Sequence, residues 1–149
     1  METKAFKVSW ILLIIVHCVV IIMGLSVIFI PQSYIAKDYQ LLTGNIWSDF
    51  VASNPQVSSY ISILTFELGT IALAAGITAL FVTLFAYRKG ENWAWYIILI
   101  ANTLGWGGVI RENTYSGDMV VVLVSIIFLV IAYLGLAIGA KAILKKVSS

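Results

Sequence analysis

The chain has 149 residues, 61% of them hydrophobic and 11% charged, with a net charge of +2 and a mean hydropathy of +1.01. A soluble domain carries about 25% charged and about 45–50% apolar residues, so this chain lacks the charge to cover a surface facing water, and lipid is its expected main solvent. So few exposed basic residues exclude nucleic-acid binding. The single cysteine, Cys18, excludes an internal disulfide, a CxxC redox pair and a cysteine metal site.

The first apolar run spans 8–30 and follows Lys4 and Lys7. It is longer than the roughly 7–15 apolar residues of a signal peptide and has no small-residue cleavage site, so it reads as a retained transmembrane helix ending at Pro31. Residues 32–59 are the longest polar segment. Within it Tyr39, Leu42, Ile46, Trp47, Phe50 and Val51 recur at helical spacing, with Asp38, Asn45 and Asp49 between them. This pattern predicts one short amphipathic helix in the membrane interface, the alternative being an irregular loop anchored by aromatics. Asn54-Pro55 resembles a helix start, with Asn as N-cap and Pro at the first helical position.

The second helix is expected over 58–87. Its uncharged stretch from Leu68 to Tyr87 covers 20 residues, about what a hydrocarbon core of roughly 30 Å requires. Arg88 to Asn92 then leaves room only for a tight turn, so the second and third helices form an antiparallel hairpin. The third helix, 93–110, opens on Trp93, Trp95 and Tyr96 and closes on Gly105-Trp106-Gly107-Gly108. Residues 111–118 read as a second turn, with Ser116 or Asp118 as cap. The fourth helix covers 119–140 and is followed by Lys141, Lys145 and Lys146. Trp10, Trp47, Trp93, Trp95 and Tyr115 read as interface anchors.

The expected fold is therefore all-α: a polytopic membrane protein, one domain over 1–149, with a four-transmembrane-helix bundle and a short interfacial helix in the first outer loop. Lys4, Lys7, Arg88, Lys89, Lys141, Lys145 and Lys146 fall on one side, against Lys37 and Arg111 on the other. The richer side is expected to be cytoplasmic, with both termini there, in an inner or plasma membrane.

Helices in lipid gain little from hydrophobicity towards one another, so small residues that permit close approach are the expected contacts. Gly69 and Gly76 on the second helix, Gly105 with Ala101 on the third, and the pair Gly135 and Gly139 on the fourth fill that role. The alternative for the Gly135/Gly139 pair is a homo-oligomer contact with a second copy of the chain. Glu67, Ala74, Thr78, Phe81 and Phe85 share one face of the second helix at 100° per residue, opposite Gly69 and Gly76. A helix with a polar face and a small-residue face is expected to touch protein on both sides, which places it centrally.

Five residues stand out as a candidate ligand-binding set: Glu67, Asn102, Trp106, Arg111 and His17. Glu67 and Arg111 lie at similar depth near the outer boundary, where a charge costs less than at the bilayer centre and a pair across the two helix ends is reasonable. Asn102 near the middle of the third helix needs a hydrogen-bond partner. His17, at mid-depth of the first helix, reaches it if those helices are neighbours. Without a second histidine no metal site follows, no cofactor is implied, and no catalytic motif is present.

The hairpin from Glu67-Leu68-Gly69 to Ala86-Tyr87-Arg88-Lys89-Gly90-Glu91-Asn92-Trp93-Ala94-Trp95-Tyr96 resembles that of small prokaryotic four-helix membrane proteins, broadly DoxX-like. The resemblance covers 66–96 and implies a four-helix bundle. The sterol isomerase and sigma-2 receptor group uses several membrane-buried carboxylates, whereas this chain has only Glu67; claudin-like proteins have a paired-cysteine loop, which is absent. The function expected from the sequence is thus an accessory or scaffold protein, or a binder of lipid or a hydrophobic molecule, alone or in a larger membrane complex. The alternative is an intramembrane transporter or enzyme with a polar pocket around Glu67, Asn102 and His17.

Overall fold

A computed structural model describes residues 3–144. Lys145, Lys146 and the two chain ends lie outside the described residues. Among those described the chain is helical throughout: α1 (Lys4–Phe29), α2 (Pro31–Thr43), α3 (Trp47–Ser53), α4 (Pro55–Phe85), a 3-10 turn (Tyr87–Lys89), α5 (Asn92–Ser116) and α6 (Met119–Ile143). The four long helices, α1, α4, α5 and α6, are each long and apolar enough to cross a membrane.

The end of α1 follows from Pro31. The residue before a proline is pushed out of helical geometry, and Ile30 sits at φ −131°, ψ 49°. The chain does not continue as a loop, however, because Pro31 at the first position opens α2. The single amphipathic helix expected across 39–51 is two helices instead. Gly44, at φ 72°, takes the left-handed conformation that glycine adopts without penalty, and it breaks the helical phase between α2 and α3. Asn54-Pro55 does start α4, but the Asn54 side chain makes no N-cap bond; its Nδ2 donates back to the Phe50 carbonyl at 3.4 Å.

The expected turn over 111–118 is mostly helix. α5 continues through Arg111 and Glu112 to Ser116 and ends at Gly117, φ 85°. Asp118 then caps α6, its Oδ1 accepting from the Val121 amide at 3.3 Å. At the other end of the bundle Gly90, φ 81°, closes the tight turn that carries Arg88 and Lys89. We call this the turn end, and the end covered by α2 and α3 the cap end.

The helices pack in the spatial order α4, α1, α6, α5, with close contacts between each neighbouring pair and few between α4 and α5. The central helix is α1 and not α4, contrary to expectation. Glu67, Ala74, Thr78, Phe81 and Phe85 all face outward, so α4 is covered on one side only. The physical reason is Gly24, whose significance is invisible from its own run. A Cβ added there would lie 2.6 Å from the Leu73 nitrogen and 3.0 Å from the Gly69 carbonyl, while one at Gly76 would lie 3.0 Å from the Ile21 nitrogen. Glycines on both sides let the two backbones nearly touch, which maximises dispersion contacts.

Gly135 and Gly139 play the same part between α6 and α1. A Cβ on Gly135 would lie 3.2 Å from the Ser9 carbonyl, and one on Gly139 would overlap the Tyr87 hydroxyl. Both glycines therefore make close contacts inside the chain. Gly105 corrects a second expectation. It is exposed, and an added Cβ there would meet nothing within 4 Å, so it packs no helix of this chain.

Candidate functional site

At mid-depth the structure joins two of the five candidate residues. His17 is buried between α4 and α5. Its Nδ1 lies 3.1 Å from Thr83 Oγ1 and its Nε2 lies 3.4 Å from Asn102 Nδ2. The proton positions follow from the partners. The Thr83 hydroxyl donates to the Ala79 carbonyl at 2.8 Å, so it must accept from His17 Nδ1–H. Nε2 is then the unprotonated nitrogen and accepts from Asn102, whose Nδ2 also donates to the Ile98 carbonyl at 2.9 Å. The imidazole is thus held in one neutral tautomer with both nitrogens occupied. This bridge ties α4, α1 and α5 together at a depth where the alternative is an unsatisfied polar group in an apolar medium.

The other three candidates do not join it. Trp106 is buried one turn along α5, but its ring stacks on Phe128 of α6, with centroids 5.4 Å apart. Glu67 and Arg111 are exposed, and they form no pair. Among the described residues the one ion pair is Lys37–Asp118. Glu67 and Arg111 stay apart because α4 packs on α1 and α5 on α6, so α4 and α5, although consecutive in sequence, meet only sparsely. A pocket shared by Glu67, Asn102 and His17 is therefore absent: two of these groups satisfy each other inside, and the third points away. No group of three or more His, Cys, Asp or Glu able to hold a metal occurs among the described residues.

A second buried polar knot lies nearer the turn end. Ser9 Oγ donates to the Gly135 carbonyl at 2.7 Å, which leaves it to accept from the Tyr87 hydroxyl at 2.7 Å. Tyr87 is fully buried and stacks on Phe6 with centroids 5.7 Å apart. Trp95 Nε1 donates to the Leu136 carbonyl at 3.0 Å, so this tryptophan ties α5 to α6 and is not merely an anchor. The Arg88 guanidinium lies over the Trp10 ring, 4.8 Å from its centroid, a cation–π contact that brings the basic turn onto α1.

The cap end carries the charged chemistry. Trp47 is buried; its Nε1 donates to Gln32 Oε1 at 3.0 Å, and Gln32 Nε2 donates to Ser62 Oγ at 3.0 Å. Tyr39 and Phe50 pack against the Trp47 ring. Lys37 on α2 pairs with Asp118 at the start of α6. The Lys37 ammonium beside it, aided by the amides of Val121 and Val120, holds the Asp118 carboxyl below its usual range. Asp38 moves the other way: partial burial raises it, and Asp118 adds to the rise, while Lys37 opposes it. Two grooves open on this cap. One of about 580 Å³ is lined by Gln32, Lys37, Gln40 and Trp47 among others, and one of about 490 Å³ by Tyr39, Asn45, Asp49 and Phe50 among others.

Ser9, Gly24, Lys37, Thr83 and Tyr87 escape sequence reasoning. Each is unremarkable within its own segment, and its role appears only with the partner helix in place. Comparison with protein-family models, with curated proteins and with solved structures finds no match to this chain.

Proposed function

We propose that the chain is a small multi-pass protein of the cell membrane that acts without catalysis, as an accessory or scaffold subunit that meets lipid or a hydrophobic molecule along its helices. The observation that carries this reading is the mutual satisfaction of the mid-depth polar groups. His17 spends both nitrogens on Thr83 and Asn102, which leaves the imidazole no free nitrogen to act as acid or base. Insertion is supported by four helices of sufficient length and hydropathy and by the large apolar side chains that they expose. Such a surface in water would be an association liability, while in lipid it is the solvated state.

The orientation we propose puts the turn end in the cytoplasm. Arg88, Lys89, Lys4, Lys7 and Lys141 gather there by helix order, in accord with the excess of basic residues on cytoplasmic loops. The four-helix arrangement is compatible with the DoxX-like likeness of 66–96, to which we add no activity. Because Gly135 and Gly139 are taken up by α1, a partner in a larger complex would meet the chain elsewhere. The exposed strip Ala101, Gly105 and Gly108 on α5 supports such a contact, since small residues let another backbone approach.

The test is purification in mild detergent followed by mass spectrometry of whatever is retained. A partner protein or hydrophobic molecule held in defined stoichiometry supports the reading. Specific substrate turnover that is lost in Glu67→Gln overturns it.

A further inference from the structure

We propose that α2 is a hinged strap over the cap end, latched by the Lys37–Asp118 ion pair, and that it lifts off the α4–α5 gap when that pair is broken. The inference goes beyond the scaffold reading and does not depend on it.

The four long helices pack in a row, α4–α1–α6–α5, and the α1–α6 contact along it is as extensive as the α5–α6 one. The two outer helices, α4 and α5, contact each other sparsely. They are tied by the turn through Tyr87–Lys89 at one end and by the His17 bridge at mid-depth. At the cap end the element packed against both α4 and α5 is α2. It therefore spans the sparse side of the row, between α4 and α5.

The attachments of α2 are lopsided. Towards α3 and α4 it is held by Gln32, bonded to both Trp47 and Ser62, and by Tyr39, packed on Trp47 and Phe50, while Ile35 on the same helix is buried, 7% exposed. Towards the α5–α6 pair it makes a single side-chain bond among the described residues, Lys37 to Asp118. Beyond that point Gln40, Leu41, Leu42 and Thr43 are exposed. Each end of the helix also departs from helical geometry. Ile30 breaks the backbone before it, and Gly44 lies in the left-handed region after it. A helix fastened firmly on one side, by one bond on the other, and bounded by two breaks can swing as a unit.

The latch can be taken apart cleanly because Asp118 uses its two oxygens differently. Oδ1 caps α6 at Val121, and Oδ2 meets Lys37. Asparagine caps a helix as well as aspartate does, so Asp118→Asn keeps the cap at Val121 while the oxygen that accepts from Lys37 becomes an uncharged amide N–H donor. Lys37→Met breaks the same tie from the other side, and Lys37→Arg preserves it.

The experiment uses the full-length chain in liposomes, in a Cys18→Ala background, with a cysteine placed at Ile35 beneath the strap. Its rate of reaction with a water-soluble maleimide is compared with that of Ile46→Cys, an exposed control, and Ile98→Cys, a core control. In the parent, Ile35→Cys should react far more slowly than Ile46→Cys. Lys37→Met and Asp118→Asn should each speed it by on the order of tenfold, the loss of a hydrogen bond to a charged group. Lys37→Arg should leave it near the parent rate, with Ile98→Cys protected throughout. The proposal is overturned if Ile35→Cys is already fast in the parent, if either latch variant fails to speed it, if Lys37→Arg speeds it as much, or if Ile98→Cys becomes reactive as well, which would mean the whole fold had loosened.

Discussion

Gly139→Ala is the sharpest test of how α6 is seated. The added methyl would fall on the Tyr87 hydroxyl, 2.5 Å from Ser9 Oγ and 3.0 Å from Tyr87 Cζ. Tyr87 cannot easily retreat, because its ring is fully buried and stacked on Phe6. Forcing a methyl into a packed site costs about 1–3 kcal/mol, here nearer the upper figure. Displacing the Ser9–Tyr87 bond adds about 0.6 kcal/mol, typical for a hydrogen bond between membrane helices. Alanine returns about 1 kcal/mol of helix propensity, so a net loss of about 2 kcal/mol is expected. Tyr87→Phe alone should cost the same roughly 0.6 kcal/mol, the bond without the clash. In the double variant the overlapping oxygen is gone, and Ser9, already without its tyrosine partner, can rotate away. The double should then be little worse than Tyr87→Phe by itself, a coupling of about 1.5–2 kcal/mol, within the range for residues in contact. Denaturant unfolding of the four proteins in bicelles measures this cycle. Additive losses, or a Gly139→Ala protein as stable as the parent, would refute the packing argument.

Gly105→Ala should behave in the opposite way. Its Cβ meets nothing, so the isolated chain should gain up to about 1 kcal/mol in the same unfolding assay. Gly24→Ala should be among the most damaging single-methyl additions, since it strikes the α4 backbone at Leu73; a loss of at least about 2 kcal/mol is expected. His17→Leu removes the bridge but leaves Thr83 and Asn102 their helix-carbonyl bonds, so the cost should be only about 1 kcal/mol. At the cap, the Asp118 carboxyl is held below its ordinary value, so the stability it contributes is present in full above about pH 4 and is lost as pH falls through its folded value. Asp38, raised by burial, works in the opposite sense and costs stability as pH rises through its folded value. Thermal melts from pH 6 down to pH 3 should therefore show an acid-side loss that Asp118→Asn lacks, and Asp38→Asn should deepen it.

Element content was legible because it depends on local quantities. Run length and hydropathy place all four long helices, and Pro31 and Pro55 mark boundaries by their own backbone restrictions, whereas the end of α5 at Gly117 lies beyond the expected 110. The candidate site was legible only in part. Asn102 and His17 announce themselves as polar groups at matching depth in apolar helices, and an amide or imidazole there must find a partner. Thr83, the third member, carries no such signal, because a threonine can satisfy itself on its own helix. Glu67 misled because its depth matches that of Arg111 while its direction does not.

What the amino-acid pattern alone determines here is that four helices are long and apolar enough to cross a membrane, roughly where they lie and which end gathers the positive charge, since hydropathy acts within one segment. Which helix sits at the centre, which glycines are used and where the polar groups point were decided only by the tertiary structure. The reason is that in helices apolar on every face no amphipathic stripe marks an inside. Neighbours are then selected by backbone clearance, as where Gly24 meets Gly69 and Leu73, and clearance belongs to a pair of helices and to neither one alone.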